Sequence, residues 1–119
     1  MKRIVIAGAT SGIGLEVAQL CIRAGWRVGA AGRRQEALEA LRAEAPGQVE
    51  TQTIDITRDD APERLGQLIE RLGGMDIYFH ASGIGSRNTA LRPDIELNTL
   101  RTNGEGFVRM VTAAFGYFR

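Results

Sequence analysis

At 119 residues the sequence has the length of one small domain, with room for a single hydrophobic core and none for a separate substrate domain. Its 44% apolar and 24% charged residues, with a formal net charge of +1, exclude a disordered, collagenous or coiled-coil chain, and the near-neutral balance with no run of like charges speaks against nucleic acid as a partner. The opening apolar run, Ile4 to Ala7, is far too short for a membrane span or a signal-peptide core, so no membrane association and a cytoplasmic location are expected.

Short apolar runs alternate with longer amphipathic stretches, the pattern of strand and helix units around a parallel sheet. Arg3 to Ala7 reads as a buried strand, followed by a glycine-rich turn from Gly8 to Gly14. A helix then runs to about Ala24, with Leu15, Ala18, Cys21 and Ile22 on one stripe and Gly25 placed for a left-handed residue past its end. Cys21, the single cysteine, reads as a buried and inert core thiol. Trp26 to Ala31 is the second strand, and Gln35 to Glu44 is a helix stopped by Pro46 and Gly47.

Val49 to Ile54 is the third strand. Asp59 or Asp60 can cap the next helix, whose core stripe is Leu65, Leu68, Ile69 and Leu72, and Gly73 and Gly74 close it. Asp76 to His80 is a fourth strand, Ala81 to Asp94 a loop, and from about Ile95 the chain is helical, with Phe107, Met110, Val111, Ala114 and Phe118 as its apolar residues. The expected architecture is α/β: a three-layer Rossmann-like fold with a four-stranded parallel sheet in the order 3-2-1-4 and helices on both faces.

The chemistry concentrates at the ends of the strands. Gly8-Ala9-Thr10-Ser11-Gly12-Ile13-Gly14 directly follows the first strand and opens a helix. Three glycines in that register allow a sharp turn, a close backbone approach to a diphosphate and tight packing of helix on strand, while the helix start offers unpaired amides. The spacing Gly-x-x-x-Gly-x-Gly resembles the loop of the short-chain dehydrogenase/reductase family, with Ala7 where that family usually has threonine. A tight turn with no ligand is the alternative reading.

About 20 residues past the loop, where an acid would hold the ribose of NAD, stand Arg33 and Arg34 instead. A guanidinium fork suits the extra phosphate of NADP, so NADP(H) is expected over NAD(H). Further matches carry the resemblance along the chain. Asp55-Ile56 looks like the family's pair that contacts the adenine ring, and a strand-end aspartate that caps the next turn is the equal alternative. Asp76-x-x-x-His80-Ala81-Ser82-Gly83 falls where the family carries Asp-x-x-x-Asn-Asn-Ala-Gly, keeping only Asp76 and Gly83, and places Ala81, Ser82 and Gly83 beside the cofactor. His80, the single histidine, reads as structural or cofactor-adjacent, since the sequence shows no partner to tune it. Asn103 matches the family's Asn-x-x-Gly, where the asparagine helps hold a water and the catalytic lysine at a break in a helix.

The resemblance implies hydride transfer between a nicotinamide and a carbonyl or alcohol carbon of a small-molecule substrate, with no metal. The family's serine and Tyr-x-x-x-Lys pair have no counterpart here: Lys2 is the one lysine, and Tyr117 has only two residues after it. Residues 1–119 are therefore expected to be the NADP(H)-binding half of a longer domain, inactive alone because the catalytic C-terminal portion is absent. A non-catalytic dinucleotide sensor is the alternative. The fourth strand and last helix would keep uncovered apolar surface, so a homo-oligomer is expected, as relatives commonly pair through the corresponding helices.

Overall fold

The computed structural model describes residues 1–81, 93–94, 97 and 101–119. Four parallel strands, β1 (Arg3–Ala7), β2 (Arg27–Gly32), β3 (Val49–Thr53) and β4 (Ile77–His80), form one sheet in the order β3-β2-β1-β4. Between them run α1 (Gly12–Arg23), α2 (Gln35–Glu44) and α3 (Ala61–Leu72). A π-helical turn, Arg101–Glu105, leads into α4 (Gly106–Phe118). The expected sheet order is the observed one, with strand limits moved by one residue: Trp26 precedes β2, Ile54 follows β3 and Asp76 precedes β4.

Alternation along β1 distributes the core over two layers, because successive strand residues point to opposite faces. Ile4 and Ile6 pack with Ala18, Cys21, Leu38 and Leu41 of α1 and α2. Val5 and Ala7 pack with Leu65, Leu68 and Leu72 of α3 and with Met110 and Ala114 of α4. Burial pushes the Cys21 thiol above its ordinary pKa, in keeping with an inert core cysteine.

Two sequence expectations change. Pro93 and Asp94 are helical rather than loop. On α4 the buried residues are Gly106, Met110 and Ala114, whereas Phe107 and Phe118 are exposed. The reason lies at Gly106, where a Cβ would stand 2.6 Å from Ile56 Cγ1: only a glycine lets the helix backbone approach so closely, and that approach turns the bulky residues outward. At α3, Asp60 holds the N-cap position, but its side chain makes no capping bond and stands 3.7 Å from Arg58 Nε instead.

The outer edge of the sheet is closed by α3. Residues 51 and 53 of β3 direct their carbonyls away from β2, and both oxygens are taken: Arg71 Nη2 donates to Thr51 O at 2.7 Å and Arg64 Nε to Thr53 O at 2.6 Å. Seven residues apart, the two arginines lie on one side of the helix.

Candidate functional site

All four strands point their C-terminal ends to one side of the sheet, because they are parallel. The crevice outside those ends is where ligands bind in open α/β sheets. Gly8 and Gly12 adopt positive φ angles, 88° and 57°, and between them the chain turns from β1 into α1. The amides of Gly8 and Ala9 both donate to Ala31 O, at 2.8 and 3.1 Å, so the turn is tied to the end of β2.

Gly14 is the tightest point. A Cβ on it would lie 2.8 Å from the Gly8 carbonyl carbon and 3.2 Å from Ala81 Cβ, so α1 rests directly on the strand end. Ser11, in extended conformation, is the N-cap and makes no side-chain capping bond. The first backbone bond of α1 is Leu15 N donating to Ser11 O at 3.3 Å. Among the described residues, the amides of Gly12, Ile13 and Gly14 therefore have no backbone acceptor, as expected at a helix start. Ile13 projects beside them, 68% exposed.

The remaining expected residues gather around this turn. Thr10 packs against Gly32, where a Cβ would meet Thr10 Cγ2 at 3.2 Å. Arg33 and Arg34 follow β2, both exposed, and neither forms an ion pair among the described residues. Arg34 is the N-cap of α2, so a cation sits at the positive end of a helix dipole, an arrangement that an anion would relieve. The Ala81 amide donates to Ala7 O at 2.8 Å, holding the end of β4 to β1. Ser82 and Gly83 lie outside the described residues.

Asp55 fills the turn-capping role. Its Oδ1 accepts from the Thr57 amide at 3.0 Å and the Thr57 hydroxyl at 2.6 Å. The hydroxyl bond is the main cause of a pKa below the ordinary aspartate value, with Arg33 and Arg58 adding electrostatic support. The side chain of Ile56 is buried against Gly106, which leaves its backbone amide, and not its side chain, for a ligand. Asn103 lies in the π-helical turn, so the expected local break in the helix is present.

His80 has a partner that sequence reading missed. Its Nδ1 stands 2.8 Å from the Tyr78 hydroxyl, and its ring meets Phe107 edge-on at a 5.2 Å centroid distance. Burial drives the Tyr78 phenol above its ordinary pKa, so the hydroxyl stays protonated in its hydrogen bond with Nδ1. Residues two apart on a strand share a face, which is the signal that could have found this pair. Tyr117 also has a specific contact: its hydroxyl accepts from the Met75 amide at 3.1 Å.

The sequence matches the family model described as short chain dehydrogenase across residues 2–119. The chain belongs to the short-chain dehydrogenase family. Serine 3-dehydrogenase of Agrobacterium fabrum is 38% identical to this dehydrogenase-family chain over 100 residues, covering 83% of it and 40% of the relative. A 3-ketoacyl-(acyl-carrier-protein) reductase of Brucella melitensis, solved with NADH, superposes with a TM-score of 0.88 at 23% identity, covering 98% of this chain and 50% of that one. An actinorhodin polyketide ketoreductase variant, solved with NADPH, gives a TM-score of 0.81 at 27% identity, covering 94% and 45%. This short-chain dehydrogenase chain thus spans half or less of the length of each of these three relatives.

Proposed function

We propose that residues 1–119 are the NADP(H)-binding part of an oxidoreductase that reduces a carbonyl or oxidises an alcohol. One observation carries the reading: α1 is seated on the Gly8 carbonyl at Gly14, where no side chain fits, and its first three amides, of Gly12, Ile13 and Gly14, have no backbone acceptor among the described residues. Those amides suit a diphosphate, with Ser11 as a further donor and Ile13 as an apolar wall. The turn of Gly8 and Ala9, both bonded to the Ala31 carbonyl, fixes their direction, with Thr10 packed against Gly32 and Ala81 at the end of β4 beside Gly14; Ser82 and Gly83 are assigned to the cofactor by the family motif alone. A nicotinamide dinucleotide would supply the hydride when bound.

Arg33 and Arg34 support NADP(H) over NAD(H). They are exposed and form no ion pair among the described residues, Arg33 acting on Asp55 only at longer range, and a guanidinium pair at the end of β2 suits a 2′-phosphate. Asp55 and the Ile56 amide are assigned to the adenine side, and Asn103 in its π-helical turn to the substrate side. Titration with NADPH and NADH tests both levels. Micromolar binding of NADPH with clearly weaker NADH is expected; equal binding would remove the arginine argument, and no binding would remove the dinucleotide site.

The 119 residues alone are proposed to turn over no carbonyl. Lys2 stands at the opposite end of β1, roughly 17 Å from the glycine turn for a strand of this length, and cannot steady a proton-donating tyrosine there. Steady NADPH oxidation by the purified 119 residues with a panel of carbonyl compounds would contradict this. Outward-facing Val108 and Phe115 on α4 support a homo-oligomer, for which a purely monomeric species in light scattering is the contrary result. No helix among the described residues is long and apolar enough to cross a membrane, and a cytoplasmic location is proposed, testable by cell fractionation.

A further inference from the structure

Arg109 lies three residues beyond Gly106 on α4 and reaches across to the turn after β3. Its Nη1 donates to Ile56 O at 2.8 Å, and its Nη2 stands 3.6 Å from Asp59 Oδ1. These contacts are unequal. The Arg109 side chain is 22% exposed and that of Asp59 is 105% exposed, so the ion pair is screened by water while the charge-assisted bond to the carbonyl is sheltered.

The Ile56 residue is thereby gripped on three sides. Gly106 admits its side chain, Arg109 takes its carbonyl, and the Asp55–Thr57 turn bonds across it. Two polar groups of the turn remain uncommitted among the described residues: Asp55 Oδ2 and the Ile56 amide. One accepts and the other donates, in neighbouring residues. Adenine offers the complementary pair, an amino donor beside a ring-nitrogen acceptor, whereas hypoxanthine reverses both.

We infer that Arg109 is a positioning residue for the adenine end of the dinucleotide: by holding Ile56 O it sets the turn in which the Ile56 amide and Asp55 Oδ2 read a purine edge. The inference rests on the dinucleotide reading. It also joins the adenine side to the helix whose preceding turn carries Asn103.

The test compares dissociation constants for NADPH and for its deaminated analogue, reduced nicotinamide hypoxanthine dinucleotide phosphate, in the wild-type protein and in Arg109→Ala, Arg109→Lys and Asp59→Asn. Wild type is expected to prefer NADPH by about tenfold, the worth of one charge-assisted hydrogen bond. In Arg109→Ala that ratio falls towards one; Arg109→Lys keeps part of it and Asp59→Asn all of it. A merely structural role would weaken both nucleotides together, so an unchanged ratio in Arg109→Ala, whatever its affinity, overturns the inference. Should that variant fail to fold, an undiminished ratio in Arg109→Lys together with a diminished one in Asp59→Asn overturns it as well. Wild type binding both nucleotides equally overturns the inference alone; wild type binding neither overturns the dinucleotide reading with it.

Discussion

Gly14→Ala is the most direct challenge to the architecture of the glycine turn. The added methyl would lie 2.8 Å from the Gly8 carbonyl carbon, and nearer still to its oxygen, with Ala81 Cβ at 3.2 Å behind. Carbon contacts settle near 3.5–4.0 Å, so α1 must retreat from β1 by roughly 1 Å or more. The obstacle is backbone on one side and the Ala81 methyl, which has no rotamer, on the other, so no rotamer change can absorb it. Overpacking of this kind costs about 1–3 kcal/mol, and the rigid surroundings put this case at the upper end. For a chain of this size that corresponds to a loss of roughly 10 °C or more in Tm. NADPH affinity should fall as well, since the amides of Gly12 and Ile13 move with the helix. Gly66→Ala supplies the control: on the exposed side of α3, with nothing within 4 Å of its Cβ, it should stabilise by about 0.5–1 kcal/mol. Thermal unfolding by circular dichroism and a fluorescence titration read both effects. A Gly14→Ala protein with unchanged Tm and affinity would refute the close seating of α1 on β1.

The other expectations concern charge. Replacing Arg33 and Arg34 together with alanine should raise the Kd for NADPH about tenfold or more while leaving NADH within twofold, measured by calorimetry; equal losses would show that the arginines do not read the extra phosphate. Because the Asp55 pKa lies below its unfolded value, its contribution to stability is present above about pH 4 and is lost as pH falls through the lower folded value. Thr57→Val removes the largest cause of that shift and should move the carboxyl titration upward by NMR; a titration that stays in place would contradict the assignment. Arg64→Ala with Arg71→Ala frees two outward carbonyls on β3, and concentration-dependent association through that edge is expected in sedimentation. A double variant no more self-associating than wild type would count against the seal.

Sheet order and the glycine turn were legible because both follow from local demands: alternating apolar residues fix the strands, and Gly8, Gly12 and Gly14 serve positions that reject side chains. Arg33 and Arg34 stand out in the sequence by contrast with an acid at that position, and the structure adds their exposure after β2; their reading as a phosphate site is the proposal. The failures have a common physical origin in distance along the chain. Gly106 and Arg109 act on Ile56 from about 50 residues away, and no periodicity within α4 marks them. The same contact explains why the apolar stripe of α4 was misread, since a search for bulky residues favours Phe107 and Phe118 over the glycine that sets the helix's rotation. The contact of Tyr78 with His80 is of another kind, since two-residue spacing on β4 already puts both side chains on one face.

Between Gly8 and Gly14, five amide protons form two contrasting groups at the two ends of the turn. Gly8 and Ala9 are bonded to Ala31, while Gly12, Ile13 and Gly14 have no backbone acceptor among the described residues. Solvent deuterium should therefore enter the second group far sooner than the first, giving the turn a built-in internal reference. Slowing confined to those three protons would report occupancy of the crevice, while slowing of all five would report stiffening of the sheet end.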